Sequence, residues 1–248
     1  MTAYKNPFGL FLLETQKLKR TGFVPAFLGG GILAALVPAI NMALRAETFT
    51  AQAGSPFHIL MDANWQLMAQ LNVFLLVCGA CLLYHTEYAD NGIQKVQVLP
   101  LWPFGLFLGK LWVLLFSCLL PLCMETASLL LCSIHWFPGG TVTGIQVLSS
   151  MAFELALLLP TGTAMLFIAS MCQNMWLGLG MGVILVFFAS MLPSHIPALQ
   201  MLPFSSPYGM LHQFSPKEAG GMLCICLGEM ILLSGAEHVY QTFRRYFA

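Results

Sequence analysis

The strongest constraint on this chain is a succession of apolar stretches at residues 22–44, 66–84, 104–133, 146–171, 176–192 and 219–236, separated by short polar segments. An apolar core about 30 Å thick needs about 20 helical residues at about 1.5 Å each. The stretches therefore predict an all-α integral membrane protein with six transmembrane helices. Helices satisfy their own backbone amides, which hydrocarbon cannot. Charged residues make up only 8% of the 248, against about 25% in an average soluble domain, and too few remain to coat a water-exposed surface. Ten Lys plus Arg balance ten Asp plus Glu, so the totals support neither a basic nucleic-acid-binding patch nor an acidic solvating tail. A single transmembrane domain, 1–248, is expected. The start is charged through Lys5, Glu14, Lys17, Lys19 and Arg20, so no cleavable signal peptide is expected.

Basic residues orient the helices. With the N-terminus inside, Lys5, Lys17, Lys19, Arg20, Lys95, Lys110, Arg244 and Arg245 fall on the inner side, and only Arg45 and Lys217 fall outside. That asymmetry predicts both termini in the cytoplasm. Phe8, Leu12 and Leu13 followed by Gln16, Lys17, Lys19 and Arg20 suit an interfacial helix over 1–21. Outer loops are expected at 45–65, 134–145 and 193–217. The last carries Pro193, Pro197, Pro203, Pro207 and Pro216 among apolar residues, a pattern that excludes one continuous helix and predicts short helices dipping into the outer interface. Eight cysteines lie in or at the ends of apolar runs and read as reduced, space-filling residues. Cys78 and Cys81 share a helical face but have no further metal ligands beside them.

The inner loop 85–100 is the most informative polar segment. A short amphipathic helix there would turn Ile93, Val96 and Leu99 to the membrane or the bundle and leave Asn91, Gln94, Lys95 and Val98 to a partner. The spacing suits an ordinary amphipathic loop equally well.

Two motifs carry a family resemblance. Glu14-x-x-Lys17-x-Lys19-Arg20-Thr21 precedes the first span, and Glu87-Tyr-x-x-x-Gly92-x-x-Lys95-x-x-x-Leu99-Pro100 leads to Gly109-Lys110-Leu111 after the second. With the six-span layout, they resemble the membrane subunits of type-2 ATP-binding-cassette exporters, and in size most resemble the lantibiotic-immunity permeases of Gram-positive bacteria. The Arg or Lys that usually follows the loop's Leu-Pro is replaced by Leu101-Trp102-Pro103.

The resemblance implies a permease in the bacterial plasma membrane that pairs with a second permease, identical or homologous, and with two separate nucleotide-binding ATPase subunits holding ATP and Mg. It implies a coupling helix in the loop between spans two and three, with Glu87, Asp90, Asn91, Gly92, Gln94, Lys95, Val98 and Leu99 contacting the ATPase. Glu14, Lys17 and Lys19 are secondary contacts on the same basis, and the substrate is an amphipathic antimicrobial peptide expelled from the membrane.

The chain is expected to hydrolyse no ATP itself and to bind no cofactor or metal. Gly105-Leu-Phe-Leu-Gly109-Lys110-Leu111 has one residue too few between its glycines for a phosphate loop, and Leu where Ser or Thr should hold magnesium. Three carboxylates, Glu125, Glu154 and Glu229, sit inside apolar runs, where insertion costs about 2.5–3.5 kcal/mol. Each must face the bundle interior, a partner subunit or water. They are candidates for the substrate pathway, or else bond neighbouring hydroxyl groups. His85-x-Glu87 lacks the Pro-Cys-x-x-Cys of a deaminase, and His58, Asp62, His195 and His212 read as scattered loop residues. A permease for another lipophilic drug or lipid, and a non-transporting scaffold or sensor subunit, remain the competing functions; an intramembrane enzyme lacks a nucleophile and base.

Overall fold

The computed structural model describes residues 7–19, 21–88, 103–192 and 197–247, and every described regular element is helical. They are α1 (Pro7–Lys17), α2 (Phe23–Thr50), α3 (Pro56–Tyr88), α4 (Pro103–Trp136), α5 (Gly144–Met171), α6 (Met175–Ser190), the short α7 (Pro197–Gln200) and α8 (Pro216–Phe247). Two 3₁₀ turns, Ser206–Tyr208 and Leu211–Gln213, lie between α7 and α8. α2, α3, α4, α5 and α8 are long and apolar enough to cross a membrane. α6, with 16 residues, is about 24 Å long against about 30 Å of hydrocarbon.

α3 is the hub. It packs on α2, α4, α5 and α6, and its residues Leu76, Val77, Ala80 and Leu83 are buried in the main apolar core with Phe27, Leu114, Met165 and Val186. α6 runs antiparallel to it: Gly178 lies against Cys81, Gly182 against Val77 and Phe187 against Phe74. A second apolar cluster, around Met42, Phe57, Met61, Trp65 and Leu129, fills the end of the bundle opposite α1. By contrast, α2 and α8 leave most of their apolar residues uncovered.

Close helix approach explains two glycines. A Cβ at Gly31 would meet the Pro121 Cα at 3.0 Å, and one at Gly79 would meet the Leu114 Cδ1 at 2.7 Å. Pro38, Pro121 and Pro160 lie inside α2, α4 and α5; in apolar helices, neighbouring groups make up for the lost backbone bond. Polar side chains add interhelical ties. Ser128 Oγ donates to the Ala35 carbonyl at 2.5 Å, and Asn41 Nδ2 donates to Asn64 Oδ1 at 2.9 Å.

Three boundaries differ from expectation, the first at the expected inner loop 85–100, whose residues 85–88 form the last turn of α3 because His85 and Glu87 end the hydropathy before they end the helix. The 45–65 segment, expected as an outer loop, is mostly helix: α2 continues to Thr50 across a non-helical Arg45 at φ −138°, ψ 32°, and α3 starts at Pro56. His58 and Asp62, read as loop residues, therefore sit on the first turns of α3. The reason is that a hydropathy window ends where polar residues begin, whereas the helix continues with those residues turned to its polar side. Likewise α8 starts before its apolar run, at a capping box in which Ser215 N donates to Glu218 Oε2 at 2.8 Å and Glu218 N donates to Ser215 Oγ at 3.4 Å. The 193–217 segment carries short helices among its described residues, pinned to α5 by Thr161 Oγ1 on the Pro203 carbonyl and Ser206 Oγ on the Leu157 carbonyl.

Candidate functional site

α1 has its last turns against the start of α4, and its buried stripe continues just past its end: Leu10, Glu14 and Leu18. The fourfold spacing puts a carboxylate between two leucines on the face turned to the bundle. Two lysines and a second glutamate meet it there. Lys110 Nζ, from the second turn of α4, lies 2.8 Å from Glu14 Oε2 and 2.5 Å from Glu87 Oε1 on the last turn of α3. Lys17 Nζ lies 2.6 Å from Glu14 Oε1 and 3.1 Å from Glu87 Oε1. Each charge touches two of opposite sign, so the ring of four is neutral.

This ring is deeply placed. The side chains of Lys110 and Glu14 are each 1% exposed, that of Glu87 11% and that of Lys17 33%. Taking such groups out of water costs several kcal/mol per ion, on the order that close opposite charges and hydrogen bonds offset. The arrangement is thus sensitive to position: displacing any one member strands the others. Its place in the chain gives this consequence, because Glu87 and Lys110 flank the 89–102 segment at its two roots. α1 is fastened to both.

A second polar junction adjoins the first. Glu237 of α8, fully buried, accepts from Ser170 Oγ at 2.6 Å, from Tyr84 Oη at 3.4 Å and from Gln241 Nε2. Arg244 Nη1 donates to Tyr88 Oη at 3.2 Å, and Tyr88 donates to the Ser170 carbonyl. Tyr84 joins the two junctions, since its ring lies 5.5 Å from Lys110 Nζ while its hydroxyl reaches Glu237. The last turns of α3 are held to α1, α4, α5 and α8 by one continuous polar belt.

Of the expected ATPase contacts, Glu87 and Glu14 are turned into the ring, Lys17 is partly exposed beside it, and Lys19 is exposed. Asp90, Asn91, Gly92, Gln94, Lys95, Val98 and Leu99 lie outside the described residues. Of the membrane carboxylates, Glu125 accepts from Asn72 Nδ2 at 2.9 Å, and its other oxygen is buried without a partner among the described residues. Glu154 lines a narrow cleft, too tight for a water, with Asn72, Trp65, Leu122 and Pro207. Glu229 does not line that cleft; it lies half-buried on α8.

Sequence reasoning passed over Glu237 and Tyr84 and took Lys110 as an inner basic residue and part of a motif, without a partner. For Lys110 a signal was present, because an ionisable residue within an apolar stretch needs a buried partner and Lys110 lies inside 104–133; Glu237 stands just past the stretch 219–236, where that criterion does not reach.

The first six helices coincide with a family match. A family model described as ABC-2 family transporter protein matches residues 10–189, which take in nearly all of α1, both roots of the 89–102 segment and every helix through α6. The chain belongs to the ABC-2 transporter family. No curated protein matches the chain significantly. As an ABC-2 permease it is a multi-pass membrane protein and the membrane component of an ABC transporter, a machine whose ATPase subunits supply the energy. In this ABC-2 permease the ionic ring falls within the matched segment, whereas Glu237 and Arg244 of the second junction come from a helix beyond it.

Proposed function

We propose that this permease is half of the membrane part of an exporter that removes an amphipathic antimicrobial peptide, of the lantibiotic type, from a bacterial plasma membrane and so confers resistance. The observation that carries the ATP-driven part of this reading is the ring of Glu14, Lys17, Glu87 and Lys110; the peptide substrate rests on the resemblance of the sequence to lantibiotic-immunity permeases. A loop that receives a push from an ATPase transmits it only if its roots are stiffly joined to the bundle. Here both roots share a buried, neutral ion cluster with α1, and Tyr84 extends the connection to α8. The coupling element is the 85–100 loop, with contacts from Glu87 to Leu99, and its polar residues Asp90, Asn91, Gln94 and Lys95 engage the cleft of an ATPase that holds ATP and Mg.

In this reading the α1 end of the bundle faces the cytoplasm and both termini lie inside, as the basic residues favour. α6 is the fifth of six crossings and α8 the sixth. The shortness of α6 calls for local thinning of the bilayer or for the residues after Ser190 to complete the distance, at a modest cost per Å. Two copies of the permease, or this chain and a homologue, would pair with two ATPase subunits. The chain itself is not an enzyme.

The test is purification of the tagged chain from its host in mild detergent, followed by a susceptibility assay with a panel of lantibiotics after deletion of the gene. Recovery of an ATPase subunit and a selective gain in sensitivity to peptides support the proposal. Recovery of the chain without an ATPase, or a gain in sensitivity confined to small lipophilic drugs, refutes it.

A further inference from the structure

Three helices meet at a buried polar cluster that the ionic ring does not use. Asn72 of α3, Glu125 of α4 and Glu154 of α5 are 3%, 1% and 4% exposed. Asn72 Nδ2 donates to Glu125 Oε2 at 2.9 Å. Asn72 Oδ1 and Glu125 Oε1 are then left as buried acceptors with no donor among the described residues. Asn72 also lines the narrow cleft that holds Glu154, and the two carboxyls stand within electrostatic reach of each other. Buried polar atoms in native folds nearly always have a partner, so two neighbouring acceptors without one call for a donor that heavy atoms do not supply.

The surroundings decide which donor it is. Neither carboxyl pairs with a basic side chain among the described residues. The Trp65 indole N–H lines the same cleft and is itself without a partner, so it reaches neither of them. The cleft is too tight for a water. Its remaining walls, Ala69, Leu122, Leu158 and Pro207, have no side-chain oxygen, whereas a metal cation of the hard kind needs several oxygen ligands. A proton needs no room. Placed on Glu125 Oε1 it turns that oxygen into a donor, gives Asn72 Oδ1 its hydrogen bond, and removes the repulsion between two carboxylates that a dry site cannot hold ionised together. Turning the Asn72 amide over does not change the count, because its oxygen would then face Glu125 Oε2 with no hydrogen between them unless the carboxyl carries one.

Other ionisable groups near the pair are few. Cys118, two turns along α4, is within electrostatic reach of Glu125. On α3 the nearest are Cys78 and Asp62, six and ten residues from Asn72. α6 has none, and α2 has none until Arg45, ten residues beyond the Ala35 that bonds Ser128. Cys226 and Glu229 of α8 do not line the cleft, and Tyr208 follows the Pro207 that does. Short of Arg45, none of these is basic.

We propose that Asn72, Glu125 and Glu154 form a proton-binding site, in which one proton sits on Glu125 and is donated to Asn72 while α3, α4 and α5 are packed together, and is released when they part. Parting the helices admits water; the electron pair of the carboxyl O–H bond stays on Glu125, and the proton passes to that water. Proton uptake favours the packed bundle, so the movement of the permease is linked to the acidity of the side on which the cleft opens. The inference rests on the bundle alone and does not depend on which substrate is moved.

The test is infrared spectroscopy of the full chain at neutral pH in an alkyl maltoside, a detergent with no carbonyl group to mask the carbonyl stretch of a protonated acid. Glu125→Gln, which imitates the protonated side chain in shape, is expected to delete one acid band and no carboxylate band. Asn72→Leu is expected to keep that band but move it to the position of an acid without a hydrogen-bond partner, and it decides the matter should Glu125→Gln not fold. Unfolding in the same detergent gives a readout that packing alone would not move. The folded chain holds the proton, whereas an unfolded chain has its glutamates ionised above their ordinary value of about 4.3. Stability therefore falls as pH rises from about 5 to about 8, and the folded-to-unfolded ratio of the unsubstituted chain is expected to drop about tenfold more per pH unit than that of Glu125→Gln. Loss of a carboxylate band instead of an acid band in Glu125→Gln overturns the proposal, as does an acid band that Asn72→Leu leaves in place, or an equal pH dependence of the two chains. Deletion of the band by Glu154→Gln but not by Glu125→Gln puts the proton on the other carboxyl and overturns the assignment to Glu125.

Discussion

Lys110 is 1% exposed and holds two carboxylates, and that fact sets the first expectation. Lys110→Met leaves Glu14 and Glu87 buried against a single partly exposed lysine, and should destabilise the bundle by about 3–5 kcal/mol. Glu14→Leu combined with Lys110→Met removes one charge of each sign and keeps the Lys17–Glu87 pair at 3.1 Å, so the double variant should be more stable than Lys110→Met alone. Thermal unfolding in detergent, compared across the two variants, reads this directly; a double variant less stable than the single one would remove the ring from the account. At Glu237 the three donors set a graded result: Glu237→Leu strands Tyr84, Ser170 and Gln241 at about 1–3 kcal/mol, and Glu237→Gln, which keeps an acceptor, should cost less in the same assay. Little of this was legible beforehand. That Glu14 and Lys110 carry charge is plain from the sequence, but their contact spans 96 positions, and that of Tyr84 with Glu237 spans 153. Local spacing carries no information about such pairs, whereas the need for a partner was legible in any charge within an apolar run.

Helices were legible in place, their ends less so. Apolar runs mark where hydrocarbon or core must be faced, and the six stretches correspond to α2, α3, α4, α5, α6 and α8. The beginning of α3 was hidden because His58, Asp62 and Asn64 interrupt the hydropathy; in the folded chain Asp62 bonds His212 and Gln213, and Asn64 bonds Asn41. The start of α8 carried a readable signature, Ser215-Pro216-Lys217-Glu218, with the capping hydroxyl, the proline at the first helical position and the reciprocal carboxylate. Ser215→Ala should therefore cost about 1 kcal/mol, confined to the first turns of α8. Hydrogen exchange of the amides at 217–220 is the measurement: faster exchange there with no change at 230–240 is expected, and unchanged exchange at 217–220 would mean the cap contributes nothing.

For the molecule as a whole, the polar belt around the end of α3 gathers α1, α4, α5 and α8 at one end. If that end faces the cytoplasm, reporter fusions at the C-terminus should be active in a cytoplasmic assay, and fusions within 138–143, between α4 and α5, should be active only in an external one. The reverse pattern would invert the bundle. The central claim is that motion of an ATPase enters through the 85–100 loop and reaches the helices through the ionic ring. Its most direct test is lantibiotic-stimulated ATP hydrolysis by the complex reconstituted in liposomes, with the unsubstituted chain and with the Glu14→Leu, Lys110→Met double variant. The account predicts that both assemble with the ATPase and that the variant loses stimulation by about tenfold or more, a barrier change of about 1.4 kcal/mol, while its unstimulated hydrolysis persists. Equal stimulation in the two complexes would contradict it.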